Sequence, residues 1–196
     1  MYSKERAQKI EKNDTKYIPA GIQENVALKS ARVTTSPQGN MFLEIVFEKD
    51  GATLTQTEWK PTKFGNMTEE DLQKKEDTQF SRMMQILLCF YKDEELIFNA
   101  TSFADWAAEI ANYLNKADKS KLLRVKIVYN NKGYTTLPTY AKYTFIEPMS
   151  VSKEDSAIIE LGIDKFTRPV VADKEEVVDT LSITETSNDD PNGLPF

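Results

Sequence analysis

Residues 41–48 read MFLEIVFE, and their apolar side chains alternate between two faces. One face carries Met41, Leu43, Ile45 and Phe47, and the other carries Phe42, Glu44, Val46 and Glu48. A period of two residues indicates a β-strand with one buried face. Because Phe42 and Phe47 lie on opposite faces, we expect one of these two rings to be exposed.

Turn signals stand on both sides of this strand. The sequence SPQGN at 36–40 precedes it, and KDG at 49–51 follows it. Glycine-containing turns of this kind connect adjacent antiparallel strands. The neighbouring strands are predicted in GIQENVALKSARV at 21–33 and in the threonine-rich ATLTQTEW at 52–59. This part of the chain is therefore predicted to be a three-stranded antiparallel meander.

Two helices are predicted after the meander. Thr68 precedes three acidic residues and provides a hydroxyl that can cap a helix start. Apolar residues recur at helical spacing in residues 79–91, and Cys89 is expected to pack in that stripe as a small hydrophobic residue. A second helix is predicted over residues 102–115, with Trp106 on the apolar face and therefore in the core.

Strand signals return in KLLRVKIVY at residues 121–129. Leucine, valine, isoleucine and tyrosine form one face, whereas Arg124 and Lys126 project from the other, which is predicted to be partly basic. The turn that follows leads into a fifth strand over residues 134–146, interrupted near Pro138.

The order of these elements predicts a fold class. Three strands, helices and two further strands match a five-stranded Greek-key barrel of the OB type. We therefore expect a mainly β domain over residues 18–149, with a helical insert at 68–115. Residues 1–17 are predicted to be a flexible leader, and residues 150–179 a peripheral extension in which SAIIELGI could form a short helix or a strand. Residues 180–196, rich in Ser, Thr, Asn and Asp, are predicted to be a disordered acidic tail.

The composition excludes several classes of function. The 196 residues include no histidine and one cysteine, Cys89. Imidazole-based catalysis, histidine-bearing zinc sites and an internal disulfide are therefore excluded. We expect no cofactor and no metal. The lone cysteine, with no secretory signal and no apolar run of membrane-spanning length, favours a cytoplasmic protein.

The net charge of −6 is confined to the C-terminal end. Residues 175–196 carry six acidic and no basic side chains, which leaves 25 of each sign in residues 1–174. The body can therefore present a basic face to a polyanion although the whole chain is acidic. The last residues include Asp189, Asp190, Leu194, Pro195 and Phe196. A solvating tail and a docking peptide are both compatible with this end, and the terminal aromatic residue favours the docking peptide.

Cations and aromatic rings cluster on the predicted strands and their loops. OB barrels commonly bind single-stranded nucleic acid in a groove where cations follow the phosphates and rings stack on the bases. The predicted DNA-binding residues are Lys29, Arg32, Phe42, Trp59, Lys60, Lys63, Phe64, Arg124, Lys126, Tyr129, Lys132, Tyr134, Tyr140, Lys142 and Tyr143. Strands are naturally rich in aromatic residues, so each single ring also fits an ordinary sheet, and only the clustering favours a groove.

Three stretches, IPAGIQENV at 18–26, SPQGNMFLE at 36–44 and TEW at 57–59, resemble bacteriophage single-stranded DNA-binding proteins with an OB fold. The C-terminal end is similar to the acidic tail of bacterial single-stranded DNA-binding proteins, which ends in several Asp followed by Ile-Pro-Phe. The resemblance implies that the tail recruits replication and repair proteins, with Phe196 filling an apolar pocket. Two features depart from the family: residues 191–193 separate the acids from Leu-Pro-Phe, and the helical insert is larger.

Three functions are compatible with these features. The first is a non-enzymatic, sequence-tolerant binder of single-stranded DNA in phage replication, recombination and repair, acting in the host cytoplasm. The second is a replisome adaptor whose barrel binds protein without direct DNA contact, which the neutral body favours. The third is a Mg²⁺-dependent nuclease, but the nearest carboxylate clusters, at 69–71 and 94–95, are typical of solvated helix starts and surfaces. We therefore expect that the protein is not an enzyme.

Overall fold

The computed structural model describes residues 16–169. The predictions for most of the leader, for the end of the extension and for the acidic tail lie outside these residues. The described part contains β1 Gly21–Thr35, β2 Met41–Lys49, β3 Ala52–Trp59, α1 Glu69–Leu87, α2 Phe103–Lys116, β4 Leu122–Tyr129, β5 Thr135–Thr136 and β6 Ile146–Pro148. A short 3-10 helix, Asp93–Glu95, connects the two α-helices. Neither α-helix of this part has the length and apolar composition that a membrane-spanning helix needs.

The six strands form one antiparallel sheet with β1 near its middle. β1 pairs with β2 on one side and with β4 on the other, and β2 pairs with β3. β4 also carries the two short strands, β5 near its C-terminal end and β6 nearer its start. The order β3-β2-β1-β4-β5 confirms the predicted meander, and both helices lie between β3 and β4 as predicted.

Two irregularities bend β1, which has 15 residues. Its register against β4 shifts between Gln23 and Val26, where Asn25 has a φ of 60°. Its register against β2 shifts between Leu28 and Ser30. A β-bulge inserts an extra residue into one strand and increases the local twist. The N-terminal half of β1 can therefore pair with β4 while its C-terminal half pairs with β2.

The core lies between the inner face of the sheet and the helices. Alternate residues of β2 from Leu43 to Phe47 are fully buried, whereas Phe42 stays partly exposed, so the expected difference between the two rings is confirmed. Helix α2 packs on β1 and β2 with Leu114 fully buried. Cys89 is buried as predicted, and burial raises the pKa of its thiol to about 12, so the thiol stays protonated.

Both helices begin beside the hydroxyl that the sequence indicates. Thr68 accepts from the Asp71 N–H at 3.1 Å, and the Asp71 carboxylate accepts from the Thr68 N–H at 3.0 Å, which completes a capping box. At the start of α2, the Ser102 hydroxyl accepts from the Asp105 N–H at 3.2 Å. Helix α1 begins at Glu69, directly after the predicted cap, and ends at Leu87, so residues 88–91 of the stretch predicted to be helical lie beyond it.

Two short strands, β5 and β6, replace the predicted fifth strand. Between them, backbone groups of residues 137–144 bond to side chains instead of to a neighbouring strand, and the Phe145 carbonyl accepts from the Lys126 N–H of β4 at 2.7 Å. Gln56 of β3 accepts from the Leu137 N–H at 3.1 Å, and Arg82 of α1 donates to the Pro138 carbonyl at 2.8 Å. Pro138 has no N–H to contribute to a ladder. The sheet therefore has six strands rather than five, and β3 lies close to β5 without a paired ladder between them in the described residues.

Residues 150–169, which we call the strap, form neither a helix nor a strand. The segment SAIIELGI is therefore irregular, although a helix and a strand were both compatible with its sequence. Hydrogen bonds hold the strap on the sheet. Ser156 donates to the Glu147 carboxylate of β6 at 2.6 Å, and the Tyr129 N–H of β4 donates to the Lys165 carbonyl at 2.8 Å.

Candidate nucleic-acid interface

Phe42 and Trp59 form a ring pair at one end of the sheet. They are directly opposed on β2 and β3, with ring centroids 4.3 Å apart and ring planes inclined by 33°. Both lie on the outer sheet face, the side of β1–β3 that points away from the core. Trp59 is 44% exposed, so the pair offers aromatic surface to a ligand. The structure thus brings together two of the predicted residues.

Carboxylates neutralise the two predicted cations of the outer sheet face. Arg32 donates to Glu44 at 2.6 Å, and Lys29 donates to Glu48 at 2.5 Å. Each pair joins β1 to β2 and remains partly exposed to solvent. Exposed pairs of this kind contribute little to stability. The two pairs nevertheless leave this face without excess positive charge.

Trp59 also lines a cleft of about 450 Å³ between the end of β3 and α1. We call it the β3–α1 cleft. Its lining includes four cations, Lys60, Lys74, Lys75 and Arg82, and one carboxylate, Glu58. Lys74 pairs with Glu70 one helical turn away at 2.9 Å, and Arg82 pairs with Glu58, but Lys60 and Lys75 have no carboxylate partner among the described residues. Positive charge therefore exceeds negative charge in this cleft.

Arg82 is the buried cation of the β3–α1 cleft. Its Nη1 lies 2.9 Å from a Glu58 oxygen, and its Nε donates to the Pro138 carbonyl. Gln56 and Gln79 also donate to Glu58, at 2.9 and 3.0 Å. The remaining guanidinium nitrogen, Nη2, finds no acceptor among the described residues. Arg82 therefore fixes the wall of the cleft and keeps one spare donor.

The loop after β3 brings Phe64 to the rim of the same cleft. The Lys75 ammonium lies 4.1 Å from the centre of the Phe64 ring, a cation–π contact. Phe64 is 69% exposed. In the same loop, Lys60 is exposed and Lys63 pairs with Glu69. The ring and cation cluster predicted after β3 therefore lies beside α1.

Further predicted residues lie on two loops of the last part of the domain. The β4–β5 hairpin exposes Lys132 and Tyr134, and the Tyr134 ring is 62% exposed. The loop between β5 and β6 exposes Lys142 and Tyr143, with the ammonium 5.6 Å from the ring centre. Gln85 of α1 supports this loop by donating to one of its carbonyls at 2.8 Å.

A second cleft, of about 310 Å³, lies between the β4–β5 hairpin and the strap. We call it the hairpin cleft. Its lining includes Tyr129, Asn131, Pro138, Thr139, Tyr140 and Lys165. Lys165 donates to the Asn131 side-chain oxygen at 2.7 Å, which links strap to hairpin. Thr139 is exposed and also lines the β3–α1 cleft, so the two clefts meet at this residue.

The predicted basic face of β4 requires a correction, beginning with Arg124. This side chain is buried, paired with Glu147 and 3.4 Å from Glu24. The bond to Glu147 raises the pKa of the Arg124 guanidinium. Arg124 therefore joins β4 to its neighbours and is not available to a phosphate on the surface.

Lys126 is fully buried beneath the strap, and the prediction that it lines a groove is corrected too. Its ammonium donates to Asp164 and to the Tyr140 hydroxyl, both at 2.8 Å, and to the Ile159 carbonyl. Burial, followed by the bond to Asp164, raises the pKa of Tyr140. All three ammonium donors are used, so Lys126 holds the strap. The Tyr140 hydroxyl is committed to the same cluster, while its residue still lines the hairpin cleft.

Sequence reasoning missed the residues that α1 and the strap contribute. Lys74 and Lys75 form an adjacent basic pair away from the apolar stripe of α1, and this was the one signal available for them. Nothing local marks Arg82, Thr139 or Lys165, because each reaches its cleft through tertiary packing.

Residues 16–169 contain no group of three His, Cys, Asp or Glu side chains placed to hold a metal ion. In the acidic run at 69–71, Asp71 belongs to the helix cap. We compared the chain with protein-family models, with curated proteins and with solved structures, and none of these comparisons found a match. Function is therefore inferred from the residues themselves.

Proposed function

We propose that this protein binds single-stranded DNA with little sequence preference, coats and protects it during phage DNA replication and recombination, and is not an enzyme. One observation carries the proposal: the exposed Phe42–Trp59 ring pair stands beside the cation-rich β3–α1 cleft. Rings that stack on bases next to cations that meet phosphates are the two components of sequence-tolerant single-strand binding. Each stacked base contributes about 1–3 kcal/mol.

We further propose that the sheet is a partly open relative of the five-stranded OB barrel. Three features support this: β1 pairs with both β2 and β4, the helices lie between β3 and β4, and β3 lies close to β5. Gln56 bridges the gap by accepting from Thr136 at 2.9 Å and from Leu137 at 3.1 Å. Side-chain hydrogen bonds would then replace the ladder that closes such a barrel.

The acidic C-terminal residues complete the proposed function. Asp189, Asp190, Leu194, Pro195 and Phe196 would bind replication and recombination proteins, with the ring in an apolar pocket and the carboxylates on basic residues. These residues lie outside the described part of the chain, and the proposal for them rests on their sequence. A variant that lacks residues 189–196 should bind DNA as tightly as the full chain, or more tightly, while losing its partners. Weaker DNA binding would contradict this division.

Oligo-dT titration of the full chain, followed by tryptophan emission at several salt concentrations, tests DNA binding. Stacking on Trp59 should quench the emission. The logarithm of the binding constant should fall linearly with the logarithm of the salt concentration, with a slope of about −0.7 for each phosphate neutralised. Absence of both responses would overturn the proposal.

The second tryptophan provides a matched control. Trp106 lies partly buried against the core, and its indole nitrogen has no hydrogen-bond partner in the described chain, so Trp106→Phe loses no bond. This variant should keep the quenching, whereas Trp59→Phe should lose it. Quenching that disappears with Trp106 instead would place the DNA away from the ring pair.

A replisome adaptor without DNA contact is the second candidate. The charge balance of the Arg32–Glu44 and Lys29–Glu48 pairs favours it, because a sheet face whose charges cancel suits a protein partner better than a polyanion. The same titration separates the two candidates, since an adaptor shows neither quenching nor binding that weakens with salt.

A further inference from the structure

Two clefts meet at one exposed residue. Thr139 lines both the β3–α1 cleft and the hairpin cleft. Trp59 belongs both to the ring pair and to the β3–α1 cleft. A ligand that stacks on Trp59 can therefore follow either of two surfaces, across the outer sheet face or through the two clefts.

The charges of the two surfaces differ. On the outer sheet face, Arg32 and Lys29 are each paired with a carboxylate of β2. In the β3–α1 cleft, Lys74 and Arg82 are paired with Glu70 and Glu58, but Lys60 and Lys75 have no carboxylate partner among the described residues. Lys60 and Lys75 are exposed there, and behind them Arg82, which is 6% exposed, keeps Nη2 without an acceptor. A chain of phosphates is therefore attracted to the clefts more strongly than to the sheet face.

The hairpin cleft has the chemistry to receive an unpaired base. Tyr129, Tyr140 and Pro138 supply ring surface, and Asn131 supplies an amide. Lys165 adds an exposed cation at the strap. Aromatic and apolar walls with a few polar groups are typical of small-ligand pockets and of base-binding sites. The hairpin cleft is thus a suitable continuation for a strand that leaves the β3–α1 cleft past Thr139.

We infer that single-stranded DNA leaves the ring pair through the β3–α1 cleft, passes Thr139 and enters the hairpin cleft, rather than crossing the outer sheet face. This path rests on the proposed function. It makes Lys60 and Lys75 contact phosphates and places a base between Tyr129 and Tyr140. It also gives the strap a role in binding, because the strap forms one wall of the second cleft.

Two identical substitutions at exposed threonines test the path. Thr139→Glu places a carboxylate where the clefts meet, and Thr55→Glu places one in the middle of the outer sheet face. Each is titrated with oligo-dT of about 16 nucleotides, near the upper end of the site sizes found for one OB fold, and with shorter oligomers down to about 4 nucleotides. Thermal unfolding of both variants is measured in parallel, and Thr139→Lys serves as a charge-reversed partner.

Thr139→Glu should weaken binding of the long oligomer by about fivefold or more, the effect of one like charge at contact distance. The loss should shrink as the oligomer shortens, Thr139→Lys should tighten binding, and Thr55→Glu should change affinity less than about twofold. A larger loss in Thr55→Glu, or no change in any variant, would overturn the path. If the unmodified protein does not bind oligo-dT, the proposed function itself fails, which is a separate result.

Discussion

The cations of β4 and those around the β3–α1 cleft have different roles. Lys126 alternates with apolar residues on a strand, and it is fully buried with its ammonium bonded to the strap and to Tyr140. Lys60 and Lys75 stand beside exposed rings, and no part of the described chain covers them. The comparison teaches that a basic residue in a strand or at its end is a candidate ligand contact only if nothing later in the chain pairs with it.

Removing the buried charge should have the largest effect. Lys126→Met leaves the Asp164 carboxylate buried without its cation, so we expect the free energy of unfolding to fall by about 3–5 kcal/mol, measured by denaturant titration. Lys153→Met is the matched control, because Lys153 pairs with Glu24 at the surface and should contribute less than about 1 kcal/mol. Equal losses in the two variants would show that the strap is not held by the Lys126 pair.

Low pH should weaken the Lys126–Asp164 ion pair. Burial alone would raise the pKa of Asp164, but its bonds from Lys126, the Leu161 N–H and Tyr140 outweigh burial and lower it. The carboxylate therefore stabilises the fold above its unfolded pKa of about 3.9, and this contribution disappears as the pH falls through the lower, folded value. The difference in unfolding free energy between the unmodified protein and Asp164→Asn should shrink as the pH is lowered below about 4. A difference that stays constant with pH would contradict this assignment.

A substitution of Trp59 tests whether the exposed surface beside the β3–α1 cleft binds DNA. Trp59→Ala removes the stacking surface, and affinity for oligo-dT should fall by about 5- to 150-fold, equivalent to about 1–3 kcal/mol for one stacked base. Unfolding should change little, because the indole is 44% exposed. An affinity within twofold of the unmodified protein would mean that the ring pair is not a binding surface.

Local features of the fold could be predicted from the sequence, and long-range ones could not. The alternation in β2 and the caps at Thr68 and Ser102 depend on neighbouring residues, and the structure confirms them. The burial of Lys126 depends on Asp164, which lies 38 residues further along the chain. No periodicity within β4 distinguishes a solvated basic face from one covered by a strap.

The residues of the candidate site also fall into those that could be predicted from the sequence and those that could not. Phe42 and Trp59 could be found because strand alternation places both on the outer sheet face. Arg82 could not, because it sits in a helix beside core residues and reaches the cleft through its bonds to Glu58 and Pro138. Both clefts take part of their lining from the segment that follows Pro138, which the sequence indicates as an interruption of a strand but not as a cleft wall.

The central claim is that exposed cations next to the ring pair, and not the paired cations of the sheet face, bind the phosphates. The most direct measurement compares the salt dependence of oligo-dT binding in Lys60→Ala/Lys75→Ala with that in Lys29→Ala/Arg32→Ala. In the first double variant, the slope of the logarithm of the binding constant against the logarithm of the salt concentration should become less steep by about 1.4, which is about 0.7 for each lost phosphate contact. The second double variant should keep the slope of the unmodified protein. A reduced slope in the second variant, with the first unchanged, would contradict the account.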